Sequence, residues 1–193
     1  MLITPNRLTY LRIFFCFFAV ILVFNEMVIC RWISLALIVL AGLTDRWDGQ
    51  LARKYGMETT VGKILDPIAD KFLIIGMMCS YSYLDVYSFW FVVPIILREV
   101  IITIIRFVLL SKKIVVAAEK SGKIKMVFQL SSIYVSFLYL MERDYTSQVY
   151  LLWQSWYSPF FNILQYTLLI TAVILTVYSG VEFFKNNWSK IRA

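Results

Sequence analysis

Six apolar runs, at residues 11–24, 32–43, 72–84, 89–110, 126–140 and 163–184, punctuate the 193-residue chain and constrain its fold more than any other feature. A helix that crosses a bilayer takes about 20 mostly apolar residues, and some of the runs reach that length only with their polar ends included. Hydrophobic residues make up 61% of the chain, against roughly 45–50% in an ordinary soluble domain. The expected fold is all-α: a polytopic membrane protein with six transmembrane helices, forming a single domain over residues 1–193. Arg7 and Arg12 precede the first run as they would a signal-peptide core. No small-residue cleavage site follows at 24–27, so the run is read as the first span. Ahead of it, Thr4, Pro5 and Asn6 supply cap and first-turn residues for a short N-terminal interfacial helix.

Charge sets the expected topology. If the N-terminus is cytoplasmic, the inside segments carry Arg7, Arg12, Arg53, Lys54, Lys63, Lys112, Lys113, Lys120, Lys123, Lys125, Lys185, Lys190 and Arg192, while the outside segments carry only Arg31 and Arg143. Basic residues collect on the cytoplasmic side, so both termini are expected there. The 19 Lys and Arg against 12 Asp and Glu, a net charge of +7, then reflect topology and contact with anionic lipid. No nucleic-acid partner is expected. Residues 142–159, with Tyr145, Tyr150, Trp153, Trp156 and Tyr157, read as an aromatic belt in the outer interface. Cys16, Cys30 and Cys79 are odd in number, far apart and in or beside apolar stretches, and read as small hydrophobes. The chain has no histidine, so a general base must be a carboxylate, lysine, tyrosine or cysteine.

Asp45, Asp48, Asp66 and Asp70 stand out against this background, at the cytoplasmic ends of the second and third spans. A carboxylate at membrane depth costs about 2.5–3.5 kcal/mol on the most lenient scale, so four together call for cationic compensation. Asp45 and Asp48 are three residues apart, and Gly49 and Ala52 continue the same helical stripe. Gly62, Asp66 and Asp70 recur every four residues on the next helix. The short turn region around 53–56 makes the two helices antiparallel neighbours, so all four carboxylates can converge. An oxygen-rich set without histidine or paired cysteine suits Mg²⁺ or Mn²⁺ and suits zinc or copper poorly. Two divalent ions would offset four negative charges. Small residues let a ligand approach the backbone, and Arg53 offers a fork for phosphate. Metal-assisted phosphoryl transfer fits this constellation. An ion or proton pathway, or structural pairs with Arg46, Lys63 and Lys71, are the alternatives.

Read as a string, Asp45-x2-Asp48-Gly49-x2-Ala52-Arg53-x8-Gly62-x3-Asp66-x3-Asp70 resembles the signature of the CDP-alcohol phosphatidyltransferases at all eight of its positions. Residues 4–12 resemble the N-terminal segment of that family, and residues 65–71, 98–102 and 122–125 resemble the branch of it whose acceptor is glycerol 3-phosphate. The resemblance implies an integral membrane enzyme with six helices, a homodimer, in the bacterial inner membrane, with its active site on the cytoplasmic side. The implied reaction transfers the phosphatidyl group of CDP-diacylglycerol to sn-glycerol 3-phosphate and releases CMP. By resemblance, Asp45, Asp48, Asp66 and Asp70 bind two divalent cations and Asp70 is the general base. Asp45, Gly49, Ala52, Arg53 and Gly62 fall on CDP-diacylglycerol-binding positions.

The acceptor phosphate needs fixed cations. Arg98 and Arg106 lie in the fourth apolar run, where an arginine is costly unless it faces a polar cavity, and Lys123 and Lys125 open the fifth span on the cytoplasmic side. Arg98, Arg106 and Lys123 are the expected phosphate binders. Arg98 can instead pair with neighbouring Glu99 or with one of the aspartates, and Lys112, Lys113 and Lys120 read as a solvated, lipid-facing cluster. Asn6, Thr9 and Arg12 are read either as approaching the active site or as cap and interfacial anchor. A cardiolipin synthase or another acceptor specificity within the family, and a carboxylate-lined transporter outside it, are the competing functions.

Overall fold

The computed structural model describes residues 5–55, 60–112, 114, 120–144 and 151–192, with the backbone alone for 5–9, 45–55, 60–67, 70, 120, 151–158 and 192. Six helices follow one another: α1 Pro5–Val23, α2 Val28–Tyr55, α3 Thr60–Tyr83, α4 Val93–Ser111, α5 Lys120–Asp144 and α6 Leu151–Arg192. A 3-10 turn, Phe89–Phe91, precedes α4, and no strand occurs among the described residues. The stretches Ser121–Asp144 and Pro159–Ile191 are long and apolar enough to cross a membrane, and Tyr10–Val23 and Val28–Thr44 are shorter apolar helices. The chain forms two compact units, Met1–Ser80 and Tyr81–Ala193.

In the first unit, α1 starts at Pro5, where a missing N–H costs nothing, and continues unbroken to Val23. The separate interfacial helix expected from the sequence is therefore the opening of α1: no glycine or proline lies between Asn6 and Val23 to end a helix. Arg12, Cys16, Ala19 and Val23 form its buried stripe, and Phe14, Phe17 and Ile21 are exposed. On α2 the buried stripe is Arg31, Ser34, Ile38 and Ala41, with Trp32, Ile33, Val39 and Leu40 exposed. The two helices pack together. Exposed apolar faces of this extent suit lipid rather than water.

Polar groups pin the α1–α2 pair. Ser34 Oγ donates to the Ala19 carbonyl at 2.7 Å, and Arg31 Nε donates to the Asn25 carbonyl at 3.0 Å, beyond the end of α1. The short link between α1 and α2 makes them run antiparallel, so seven residues back from Ala19 and seven forward from Ser34 bring Arg12 level with Ala41. That is about one helical turn from Asp45. On α3, a Cβ added to Gly76 would lie 2.9 Å from Val20 Cγ2, so α1 and α3 meet at a glycine.

In the second unit the apolar run at 89–110 divides into the 3-10 turn and α4, because Pro94 falls in the first turn of α4 and favours a start there. The preceding loop is held from outside: Gln165 Nε2 donates to the Val86 carbonyl at 3.2 Å and Arg143 Nη1 to the Leu84 carbonyl at 2.8 Å. Asp85 there takes a left-handed φ of 56°. Helix α6 packs against both α4 and α5. Buried Ser132, Ser136, Ala172 and Ser179 line α5 and α6, small residues of the kind that let membrane helices approach closely, and Gln129 Nε2 donates to Thr176 Oγ1 at 3.1 Å. Residues 145–150 of the expected aromatic belt lie outside the described residues, and 151–159 belong to α6 rather than to a linker. Over its 42 residues, α6 extends about 63 Å.

Candidate active site

Two buried stripes lead to the aspartates. On α2, the positions Arg31, Ser34, Ile38 and Ala41 advance by three or four residues at a time, and the same register reaches Asp45, Asp48 and Ala52 before the helix ends at Tyr55. On α3, the register that carries Gly62, Asp66 and Asp70 through the first three turns continues at buried Ile74, Met77 and Tyr81. The helical register therefore places all four aspartate positions in line with the stripes that are buried at the described residues of α2 and α3. Arg53 falls in the last turn of α2, where a cation complements the carbonyl end of the helix. The side chains at 45–67 and at 70 lie outside the described residues.

A set of carboxylates alone, in a chain without histidine, suits a hard divalent cation. Among the described residues, which do not include the side chains of the four aspartates, no group of three or more histidine, cysteine, aspartate or glutamate side chains could hold a metal. Arg12, with 2% exposure, lies on the buried stripe of α1 near the level of Asp45. That position removes it from the role of an exposed interfacial anchor; Asn6 and Thr9 fall on positions whose side chains are not described.

A second polar cluster belongs to α4, α5 and α6. Glu99 continues the buried stripe of α4 between Ile95 and Ile102 and is 3% exposed. Lys125 of α5 is 5% exposed, and its Nζ pairs with Glu99 Oε1. Arg98 Nη1 approaches the same carboxylate at 3.4 Å from Oε1 and 3.5 Å from Oε2. The alternative reading of Arg98, a pair with Glu99, is thus present as a long contact that uses one of the guanidinium nitrogens. The Arg98 stem lies against α6, where a Cβ on Gly180 would come within 3.3 Å of Arg98 Cγ.

Arg106 stands two turns further along α4, and its Cζ lies 5.5 Å from the centre of the Phe183 ring, within cation–π range. The two arginines are separated by about 12 Å of rise on α4 but meet α6 at positions about 4.5 Å apart. Helical side chains lean toward the N-terminus, which carries Arg106 back toward Arg98. Lys123 behaves differently. It lies two positions before Lys125, about 200° around the helix, and it is exposed. The structure brings Lys125, and not Lys123, beside Arg98.

Glu99 and Lys125 are the residues that sequence reasoning undervalued. The signal was available: a carboxylate inside the run 89–110 needs a partner for the same reason the aspartates do.

Comparison with known proteins places these observations. A sequence profile described as CDP-alcohol phosphatidyltransferase matches residues 2–178. The chain is 35% identical over 156 residues to a Bacillus subtilis protein named CDP-diacylglycerol–glycerol-3-phosphate 3-phosphatidyltransferase, covering 81% of this chain and 74% of that one. A Rickettsia typhi protein of the same name is 30% identical over 181 residues, covering 94% of each chain. A probable phosphatidylglycerophosphate synthase of Mycobacterium tuberculosis is 32% identical over 153 residues, 79% of this chain and 65% of that one.

Proposed function

We propose that this chain, which belongs to the CDP-alcohol phosphatidyltransferase family, transfers the phosphatidyl group of CDP-diacylglycerol to sn-glycerol 3-phosphate, giving phosphatidylglycerophosphate and CMP. The observation that carries the reading is the alignment of Asp45, Asp48, Asp66 and Asp70 with the buried stripes of α2 and α3. The names of the Bacillus and Rickettsia relatives support the choice of acceptor. The protein is a polytopic membrane enzyme with six spanning helices and a single catalytic domain. It works as a homodimer in the bacterial inner membrane, with both termini and the active site on the cytoplasmic side.

Asp45, Asp48, Asp66 and Asp70 hold two divalent cations, Mg²⁺ or Mn²⁺, which when bound offset the carboxylate charge and polarise the pyrophosphate of the lipid nucleotide. Gly49, Ala52 and Gly62 leave the helix surfaces open to the nucleotide, and the Arg53 fork holds its phosphate. Arg98 and Arg106 hold the phosphate of the acceptor, and exposed Lys123 draws the dianion toward them. Asp70 takes the proton of the acceptor hydroxyl as that oxygen bonds to the phosphorus bearing the diacylglycerol. The bond from this phosphorus to the CMP oxygen breaks, and CMP leaves.

The test is CMP release by the purified protein with CDP-diacylglycerol, Mg²⁺ and a panel of acceptors. Release should be fastest with glycerol 3-phosphate. Equal or faster release with phosphatidylglycerol, inositol phosphate or serine would overturn the acceptor assignment.

A further inference from the structure

Glu99 is an anionic residue set among the cations to which the reading above gives the acceptor phosphate. It is buried at 3% exposure on α4, adjoins Arg98 in sequence, and pairs through Oε1 with Lys125, itself 5% exposed on α5. A carboxylate beside a phosphate site weakens the attraction of that site for an anion. A buried carboxylate also carries a large desolvation cost. The hydrocarbon-filled alternative, an apolar residue like its stripe neighbours Ile95 and Ile102, would have neither drawback.

We propose that Glu99 is a positioning residue for acceptor binding, fixing the Lys125 ammonium and the Arg98 guanidinium so that both face the incoming phosphate from set directions. The inference rests on the acceptor reading proposed above. The geometry divides the two contacts: Lys125 is in close contact with Glu99, whereas Arg98 is held at 3.4 Å. Glu99 therefore links α5 to α4 through Lys125 and contacts the Arg98 guanidinium through Nη1. Gly180 completes the arrangement from α6, since its missing side chain leaves room for the Arg98 stem. A lysine or arginine on a flexible stem loses rotamer freedom when it grips an anion, and prior restraint by Glu99 reduces that loss at the moment of binding.

A purely structural ion pair would act on folding and leave the KM values alone; a positioning residue also acts on the binding of one substrate. Full-length Glu99→Gln, Glu99→Asp, Lys125→Met and the double variant Glu99→Gln/Lys125→Met are purified in detergent. CMP release is then measured against glycerol 3-phosphate and, separately, against CDP-diacylglycerol. Glu99→Gln should raise the KM for glycerol 3-phosphate about tenfold, the scale of a hydrogen bond between charged groups, with the KM for CDP-diacylglycerol within about twofold of wild type. Glu99→Asp should recover part of that loss, and the double variant should be no worse than Lys125→Met alone. A lower kcat with an unchanged acceptor KM, or losses that add in the double variant, would overturn the positioning role. If Glu99→Gln fails to reach the membrane, the acceptor KM of Glu99→Asp decides. Wild-type turnover with another alcohol and none with glycerol 3-phosphate would instead sink the acceptor assignment. The same KM comparison made with that alcohol would then judge Glu99.

Discussion

Lys125 and Glu99 pair across α5 and α4 with both side chains nearly removed from solvent, whereas Lys123, two positions earlier, is exposed. Removing one member of a buried pair strands the other charge, at about 3–5 kcal/mol, while an exposed lysine contributes little to stability. Lys125→Met should therefore lower the melting temperature in detergent clearly and Lys123→Met only marginally. A thermal melt followed by cysteine-reactive dye or light scattering reads the difference.

Asp70→Asn should reduce CMP release by at least about 100-fold, the low end of what general-base catalysis contributes. The melting temperature should stay close to that of wild type, because the change removes charge and keeps shape. Near-full activity in the variant would take the role of base away from Asp70.

Chelation of divalent metal should abolish turnover, and Mg²⁺ or Mn²⁺ added back should restore it. Zinc should not, since a set made only of carboxylate oxygens lacks the nitrogen and sulfur ligands that zinc favours. Assay of CMP release in chelator followed by metal titration makes the comparison.

Phe183→Leu removes the ring beneath the Arg106 guanidinium, a contact worth roughly 0.5–1 kcal/mol at an exposed site. The KM for glycerol 3-phosphate should rise about two- to fivefold. Gly180→Val introduces atoms where even a Cβ would lie 3.3 Å from Arg98 Cγ. It should raise the same KM more, with the KM for CDP-diacylglycerol unchanged in both variants.

Much of this was legible in the sequence, and particular residues show where legibility ended. The six apolar runs correspond to six helices, because burying backbone hydrogen bonds in lipid leaves helices as the economical solution. Run boundaries were poorer guides. Helix α2 continues 12 residues past the run that ends at Leu43, since helical backbone extends through polar residues as readily as apolar ones. Pro94 shortened the fourth run from its start. The spacing of the aspartates was readable because 3.6 residues per turn fixes which positions share a stripe. The choice between Lys123 and Lys125 was not, because it depends on which side of α5 meets α4. Arg12 was equally ambiguous until Ser34 Oγ, bonded to the Ala19 carbonyl, set the stagger of α1 against α2.

The length of α6 has a consequence for where the enzyme can work. At about 63 Å it exceeds the roughly 30 Å hydrocarbon layer by a factor of two. A helix cut to the thickness of one membrane must tilt, or deform the lipid around it, when that thickness changes. One with helical turns to spare at its ends still spans the layer when that thickness changes, with Gln129–Thr176 holding it to α5. An overlong final helix therefore ties this fold less closely to one bilayer thickness.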